Sequence, residues 1–165
     1  MVRLVRMTQT EFEAYLEAAV QDYAQQHVRA GNWSAKKAQH LAEESFRTLL
    51  PDGVATSNQY LFNIEDEALG EKVGVLWFAG EEREFGPWAF VYDIRIEKVY
   101  RRRGYGTQAL EALEERAREL GLPRITLHVF GHNSAAREMY AKLGYQEVDL
   151  ILSKGIDFPA RSAGE

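Results

Sequence analysis

Three consecutive arginines and two closely spaced glycines, in Arg101-Arg102-Arg103-Gly104-Tyr105-Gly106, separate a strand-like stretch from a helix-like one. A helix that begins at such a turn exposes unpaired backbone N–H groups and a partial positive charge. The glycines let a ligand approach the backbone closely, and the guanidinium groups add cationic donors. The stretch therefore predicts a site for phosphate oxygens, and a pyrophosphate suits it better than a lone carboxylate.

The same stretch could be only a solvated turn, and two familiar nucleotide motifs fit it badly. The chain contains no G-x-x-x-x-G-K-[ST] phosphate loop. In a G-x-G-x-x-G fingerprint Ala109 would take the third glycine position, which is a tolerated variant. However, this loop follows the middle strands rather than the first. Neither an ATPase nor a dinucleotide enzyme is favoured.

A second pattern lies downstream, Asn133-x-x-Ala136-x-x-Met139-Tyr140-x-x-Leu143-Gly144-Tyr145. Together with Arg101-x-x-Gly104-x-Gly106 after Ile94-Arg95-Ile96, it resembles the two signatures of the GNAT superfamily of N-acetyltransferases. Those signatures are [Q/R]-x-x-G-x-[G/A] and N-x-x-A-x-x-L-Y-x-x-L-G-F, with Met for Leu and Tyr for Phe in this chain. The resemblance is best from Trp88 to Val148. Taken more narrowly, it is to a little-characterised group of bacterial acetyltransferases.

The resemblance implies acetyl-CoA as the acetyl donor and no metal. The loop would wrap the pyrophosphate of coenzyme A, with the backbone of residues 102–107 as principal donors. The pantetheine arm would pair with the preceding strand as though it were another strand. Asn133 would bind near the arm, although capping its own helix is a competing role. The expected cofactor-binding residues are Ile94, Arg95, Ile96, Arg101, Arg102, Arg103, Gly104, Tyr105, Gly106, Thr107, Asn133 and Ala136.

Amide formation requires a neutral amine, so a base or a water relay must remove a proton from a group with a pKa of about 10.4. By the resemblance, His128 takes the position of the catalytic glutamate in ribosomal-protein alanine acetyltransferases. A histidine bonded within the sheet is the alternative role. Tyr92, Asp93 and Glu97 are rival bases. Tyr140 is expected to protonate the departing thiolate, and a backbone N–H of the strand before the loop to hold the oxyanion.

The acceptor is where the sequence says least. By the resemblance, the first two helices and the loop between them border the acceptor, and Trp33 is expected to line its pocket. Asp93 and Glu97 are expected to attract a cationic amine. The net charge of −5 also favours such an acceptor, whether a polyamine, an antibiotic, an amino acid or a lysine side chain.

The elements that must position these residues follow from periodicity and turn signals. The expected order is a strand, two helices, an antiparallel meander, the loop, a helix, a strand, a helix capped by Asn133 and a last strand. A capping-box pattern at Thr8 and Thr10 opens the first helix, and the second starts after Ser34. The predicted fold is α/β, a GNAT-like mixed sheet that is antiparallel early and parallel around the loop, with about four flanking helices. The predicted strands are Val2–Arg6, Tyr60–Ile64, Val73–Ala79, Trp88–Ile96, Ile125–Phe130 and Val148–Leu152.

Length and composition set the remaining expectations. A chain of 165 residues without cysteine predicts one domain over residues 1–155, with a loose tail over residues 156–165, and excludes disulfides and thiolate chemistry. The acidic balance argues against nucleic acid as the main partner. No stretch resembles a signal peptide or a membrane span, so a cytoplasmic protein without a membrane partner is expected. Because homodimers are common in the superfamily, a homodimer is also considered.

The combined expectation is an acetyl-CoA-dependent N-acetyltransferase that acts on a small-molecule or peptide amine. The primary amine would attack directly in a ternary complex. A non-catalytic acyl-CoA-binding sensor domain is the main alternative, because a cofactor loop can persist without turnover. A nucleotide-binding protein is the third.

Overall fold

A computed structural model, which describes residues 1–157, shows a five-stranded mixed sheet covered by helices on both faces. The sheet order is β1-β2-β3-β4-β5, with antiparallel pairing throughout except for the parallel pair β4–β5. The predicted mixed α/β sheet with four helices is therefore confirmed. In chain order the elements are β1 (Val2–Arg6), α1 (Gln9–Arg29), α2 (Ala35–Leu49), β2 (Gln59–Asp66), β3 (Glu71–Glu81), β4 (Trp88–Ile96), α3 (Tyr105–Glu119), β5 (Ile125–Leu127) and α4 (Ser134–Lys142).

The sheet buries one apolar core on each face. Neighbouring residues of β2 show the division, because Phe62 belongs to the core under α3 and α4 while Leu61 belongs to the core under α1 and α2. Successive side chains of a strand point to opposite faces. A strand covered on both faces is therefore apolar along most of its length, as β3 is.

The helix starts follow the predicted capping signals. The Thr8 hydroxyl accepts a hydrogen bond from the N–H of Glu11 at 3.2 Å, and the Glu11 carboxylate accepts one from the N–H of Thr8 at 2.8 Å. This reciprocal pair is a capping box and fixes the start of α1. The second helix begins directly after Ser34, as predicted.

Two predicted strands differ from the structure. The strand expected over Ile125–Phe130 ends at Leu127, because β4 pairs with β5 only as far as Val91. The strand expected over Val148–Leu152 does not form, since its residues find no strand partner within residues 1–157 and stay exposed. Strand propensity alone does not supply a neighbour for the backbone.

The expected tail of residues 156–165 lies mostly outside the described residues. No helix within residues 1–157 is both long and apolar enough to cross a membrane. The cytoplasmic location stays a prediction.

Candidate active site

Strands β4 and β5 separate at a bulge in β4. Trp77 of β3 pairs with Asp93, but the next residue, Phe78, pairs with Val91, so Tyr92 is an extra residue in β4. Strand β5 pairs only with residues 89–91 of β4. Beyond the bulge, residues 93–96 have β3 on one side and, among the described residues, no strand on the other. We call this free edge the β4 notch, and its backbone groups are available to an extended ligand.

The bulge also turns two consecutive side chains towards α1 and α2. Tyr92 stacks on Trp77 with a centroid distance of 4.6 Å and donates a hydrogen bond to Glu81 at 2.8 Å. Burial, reinforced by Glu81, raises the pKa of Tyr92 to about 12. Tyr92 therefore keeps its proton at neutral pH, which leaves it unsuited to act as a base.

Asp93 is an unusually placed carboxylate at the start of the notch. It accepts a hydrogen bond from the Tyr15 hydroxyl at 2.9 Å. Burial raises the pKa of Asp93 and outweighs the nearby Arg95 and the Tyr15 hydrogen bond, both of which lower it. Asp93 is consequently a stronger base than an ordinary aspartate. Burial and the Asp93 charge raise the pKa of Tyr15, so Tyr15 remains a donor.

Tyr140 of α4 lies on the other side of the notch, among the residues of the α3–α4 core. Burial, followed by the negative charge of Asp93, raises its pKa to about 12. No hydrogen bond engages its hydroxyl within residues 1–157, and that hydroxyl is not fully enclosed. The neighbouring Tyr145, at a centroid distance of 5.6 Å, has a fully buried hydroxyl that finds no hydrogen-bond partner among the described residues.

The arginine-glycine loop presents a row of free donors at the far end of the notch. In the described chain no acceptor takes the backbone N–H groups of residues 102–107, and the helical ladder begins with Gln108 donating to Gly104 at 3.1 Å. The loop turns through left-handed conformations at Arg102 (φ 63°) and Gly104 (φ 83°). Helix α3 has neither a side-chain cap nor an acidic residue in its first turn. Its N-terminus is therefore open to an anion.

The side chains of the arginine-glycine loop make different contacts. Arg101 donates from Nε to the Ile96 carbonyl at 2.9 Å, which ties the loop to the end of β4. Arg102 is exposed, and the Arg103 guanidinium lies over the Tyr100 ring at 5.8 Å. The buried Tyr105 hydroxyl donates to Asp66 at 2.8 Å, so only the backbone of Tyr105 faces the predicted phosphate site.

Helix α4 packs closely against this first turn of α3. A Cβ on Gly106 would lie 2.8 Å from the sulfur of Met139, so glycine permits the approach. The Asn133 Oδ1 accepts a hydrogen bond from the N–H of Ala136 at 3.3 Å, which confirms that Asn133 caps α4. Cofactor contacts by Asn133 and Ala136 stay predictions.

His128 and Trp33 contribute to a different cluster, on the sheet face that carries α1 and α2. Trp33 stacks on His27 at 3.9 Å, and His27 meets Phe130 edge-on at 5.2 Å. The exposed His128 meets the same Phe130 edge-on at 5.0 Å. Burial, followed by the charge of His128, lowers the pKa of His27. The C-terminal end of α1, on which Trp33 of the α1–α2 loop stacks, thus touches the segment after β5.

Comparison with known proteins identifies the family. The sequence model of the acetyltransferase (GNAT) family matches residues 12–145, a range that includes the notch, the loop and α4. The chain belongs to the GNAT acetyltransferase family.

This acetyltransferase is similar to two uncharacterised N-acetyltransferases of Bacillus subtilis. It is 39% identical to YycN over 155 residues, covering 93% of this chain and 97% of YycN. It is 37% identical to YdgE over 148 residues, covering 90% and 94% of the two chains. The crystal structure of YycN matches with a TM-score of 0.91 at 37% identity, over 96% of this chain and all of that one.

A more distant structure shows the same fold. It is an acetyltransferase of Clostridium acetobutylicum solved with acetyl-CoA, which matches with a TM-score of 0.64 at 16% identity. The alignment covers 94% of this acetyltransferase and 96% of that chain.

The structure brings together part of the predicted site. Asp93 and Tyr140 flank the notch, whereas Glu97 lies exposed beyond its end. Tyr15 was not foreseen, because an aromatic residue on an apolar helix face is indistinguishable in sequence from an ordinary core residue. Among residues 1–157, no three His, Asp or Glu side chains are grouped closely enough to hold a metal ion.

Replacing Asp93 by asparagine should make this acetyltransferase more stable at neutral pH. Because the folded-state pKa of Asp93 is raised, folding favours the protonated carboxyl, and this stabilisation is lost as pH rises through the folded-state pKa. Asp93→Asn cannot ionise and avoids the loss. We expect its unfolding free energy to exceed that of the wild type by about 1 kcal/mol at pH 8, a usual size for one stabilising change.

Urea unfolding between pH 4 and pH 8 measures this difference, which should shrink towards pH 4. The control is Asp52→Asn, which makes the same change at an exposed carboxylate. An Asp93→Asn protein that is less stable than the wild type at pH 8 would contradict the assignment of a buried, penalised carboxylate.

Proposed function

We propose that this chain is an acetyl-CoA-dependent N-acetyltransferase that acetylates a primary amine by direct attack in a ternary complex. The observation that carries the proposal is the continuity of the site. The β4 notch begins at Asp93, beside Tyr140, and ends at Ile96, to which Arg101 ties the loop of free N–H groups. Four strand residues span roughly 10 Å at about 3.3 Å per residue. An extended ligand with a pyrophosphate at one end therefore suits the site.

The donor would lie along this line. Backbone N–H groups of residues 102–107 would hold the pyrophosphate oxygens, and Arg102 and Arg103 would add positive charge. Amide groups of the pantetheine arm would pair with the free edge of β4 between Asp93 and Ile96. The thioester would then reach the bulge, where a backbone N–H can stabilise the oxyanion. The acetyl-CoA bound to the C. acetobutylicum neighbour supports this choice of donor.

The chain supplies a base and an acid on opposite sides of the notch. Asp93 would take a proton from the ammonium form of the acceptor, and the neutral nitrogen would attack the thioester carbonyl. The C–N bond forms, and the nitrogen of the tetrahedral intermediate then loses its second proton to solvent. The C–S bond breaks, and the departing sulfur receives a hydrogen bond and then a proton from Tyr140. Solvent returns the proton to Tyr140, while Asp93 releases its own proton to solvent.

The charge of Asp93 changes the pKa of Tyr140 in the direction that the proposed reaction requires. The pKa of Tyr140 is about 12 partly because Asp93 is negative, and protonation of Asp93 removes that charge. Tyr140 therefore becomes a stronger acid after Asp93 has accepted the proton of the amine. A thiol has a pKa of about 8.5, so the transfer from Tyr140 is uphill, and this gain makes it less so.

A cationic amine is the acceptor class that we propose, entering from the face with α1 and α2. The Trp33–His27 stack and Phe130 form an aromatic wall there, and the net charge of the chain is −5. Aminoglycoside acetyltransferases from soil metagenomic samples share the fold, one with a TM-score of 0.60 at 19% identity. A cation can be held over an aromatic face, which gives this wall a recognition role.

An acidic residue in the first turn of α3 should weaken cofactor binding while it increases the stability of the protein. Thr107→Glu should stabilise the helix by about 0.3–1 kcal/mol, because its charge complements the helix dipole. The same charge should repel the pyrophosphate and weaken acetyl-CoA binding at least tenfold, or about 1.4 kcal/mol. Calorimetric titration and thermal unfolding measure the two effects.

The matched control is Lys37→Glu, at the equivalent position of α2. It should leave acetyl-CoA binding unchanged. Coenzyme A should bind the wild type, while ATP and NAD should not. Equal affinity of Thr107→Glu and the wild type would remove the loop from the cofactor site, and binding of ATP or NAD alone would favour the nucleotide-binding alternative.

Tyr140→Phe should bind acetyl-CoA normally and lose about 100- to 10,000-fold in kcat, the usual contribution of a general acid. Thiol release with a panel of primary amines measures turnover. Tyr145→Phe is the matched control, because it removes a neighbouring buried hydroxyl that has no partner. Unchanged turnover of Tyr140→Phe at every pH would exclude the acid role. Binding without turnover by the wild type, with every amine tested, would favour the sensor domain.

The base is distinguished by the pH dependence of kcat/KM. Asp93→Asn should reduce kcat/KM about 100-fold or more and remove the acidic limb of its pH profile. His128→Gln should keep that limb, because His128 lies exposed beside Phe130 and away from the Tyr15–Asp93 hydrogen bond. The opposite pattern would assign the base to His128, the residue expected from the family resemblance.

A further inference from the structure

Helix α1 turns one face towards both the start of the notch and the segment after β5. On this face the Tyr15 hydroxyl donates to Asp93 at 2.9 Å, and Gln26 bonds His132 at 2.6 Å. Asp22 lies between Tyr15 and Gln26 in α1. Seven residues make about two helical turns, so Asp22 is on nearly the same side of α1 as Tyr15, about 10 Å further along the axis. Asp22 is therefore placed on the face of α1 that borders the outer end of the notch.

The carboxylate of Asp22 is exposed, and none of the ion pairs within residues 1–157 includes it. Its charge nevertheless acts on the reacting end of the notch. Burial is the main cause of the raised pKa of Asp93, and the negative charge of Asp22 raises that pKa further. After burial and Asp93, the charge of Asp22 also raises the pKa of Tyr15. Asp22 and Asp93 thus repel each other, and a ligand cation placed near both would relieve the repulsion.

The neighbouring cationic side chains do not neutralise Asp22. The Arg95 guanidinium lies over the Tyr15 ring at 5.8 Å and forms no ion pair with Asp22. Burial, followed by the charge of His128, lowers the pKa of His27, so His27 is mainly neutral at pH 7. The space beside Asp22 therefore favours a positively charged ligand group.

Aromatic rings border the same part of α1. Tyr23, the residue after Asp22, meets His27 edge-on at 4.5 Å and Trp33 edge-on at 5.5 Å. His27 in turn meets Phe130 edge-on at 5.2 Å. Ring faces attract ammonium groups, and a carboxylate beside them adds a charged acceptor for the N–H donors. This combination suits an alkylammonium group.

The inner end of the space carries a separate sign of a ligand. Tyr140 is only 9% exposed, and its hydroxyl forms no hydrogen bond within residues 1–157. After burial, the charge of Asp93 raises the pKa of Tyr140, so the two groups lie near each other. Because buried polar groups are normally hydrogen-bonded, this hydroxyl points to a ligand atom that completes it. The space thus has a reacting end at Asp93 and Tyr140 and an outer end at Asp22.

We propose that Asp22 holds a second positive group of the acceptor, so that the chain selects amines with two cationic centres. This inference rests on the proposed function and names the acceptor class of the same site. One ammonium would lose a proton to Asp93 and be acetylated. The other would stay charged between Asp22 and the rings around Trp33. Asp22 is then a specificity-determining residue that takes no part in the bond changes.

Steady-state acetylation of cadaverine and of n-pentylamine tests the proposal. Both amines have the same carbon chain, and only cadaverine has a second ammonium. The wild-type kcat/KM should be at least tenfold higher for cadaverine, mainly through KM, because Asp22 acts in binding. Asp22→Asn should reduce the cadaverine-to-pentylamine ratio of kcat/KM at least tenfold. A wild-type ratio near one, or a ratio that Asp22→Asn leaves unchanged, would overturn the proposal.

Glu17→Gln is the matched control. Glu17 is another exposed acidic residue of α1, but it follows Tyr15 by two residues and so lies on the opposite side of the helix. This variant should keep the wild-type ratio. An equal fall of the ratio in Asp22→Asn and Glu17→Gln would assign the effect to net charge and contradict a specific role of Asp22.

A binding measurement separates this inference from the proposed function. Calorimetric titration of cadaverine into the protein saturated with coenzyme A should give a dissociation constant at least tenfold weaker for Asp22→Asn than for the wild type. Equal acetylation of the two amines would contradict the role of Asp22 and leave the acetyltransferase proposal standing. Absence of turnover with every amine would contradict the proposed function. Equal binding of cadaverine to Asp22→Asn and to the wild type would overturn the role of Asp22 in either case.

Discussion

The extra residue Tyr92 in β4 is the constraint on which the arrangement of the site depends. A regular β4 would continue beside β5, and its backbone donors and acceptors would be consumed by the sheet. The bulge ends that pairing after Val91 and leaves residues 93–96 with one free edge. The same bulge turns Tyr92 and Asp93 towards one face, so that Asp93 meets Tyr15 of α1. An open edge and a buried carboxylate are therefore two results of one irregularity.

Burial then determines the chemistry of the groups at the notch. Asp93 is partly buried by the packing of α1 on the sheet, and its pKa is raised in spite of Arg95 and the Tyr15 hydrogen bond. The charge of Asp93 in turn raises the pKa of Tyr140. Protonation of Asp93 on one side of the notch therefore favours loss of the Tyr140 proton on the other side. The two cores hold these groups in position. Tyr15, which bonds Asp93, belongs to the α1–α2 core, and Tyr140 belongs to the α3–α4 core.

Different parts of the chain bring the arginine-glycine loop and the aromatic cluster around Phe130 to the region of the notch. Arg101 and Gly106 join the loop to β4 and α4, through one hydrogen bond and one close approach. On the other face, the His27–Trp33 stack reaches Phe130 after β5. A hydrogen bond of 2.6 Å between Gln26 of α1 and His132 after β5 joins the same two parts of the chain. Under the proposed function, the acceptor side would be built from the end of α1, the α1–α2 loop and the segment after β5 rather than from the sheet, and loops are where specificity varies most readily within a family.

The sequence by itself determined the order of the elements from β1 to α4 and the local features, namely the capping box at Thr8, the Asn133 cap and the free N-terminus of α3. The local features depend on residues within one turn of each other, so spacing is sufficient to predict them. Only the tertiary structure decided that Tyr15 bonds Asp93 across a separation of 78 residues, that β5 stops at Leu127 and that Val148–Leu152 has no strand partner in the described chain. The physical reason is that burial and strand pairing depend on what lies opposite a residue, and a linear pattern does not contain that information.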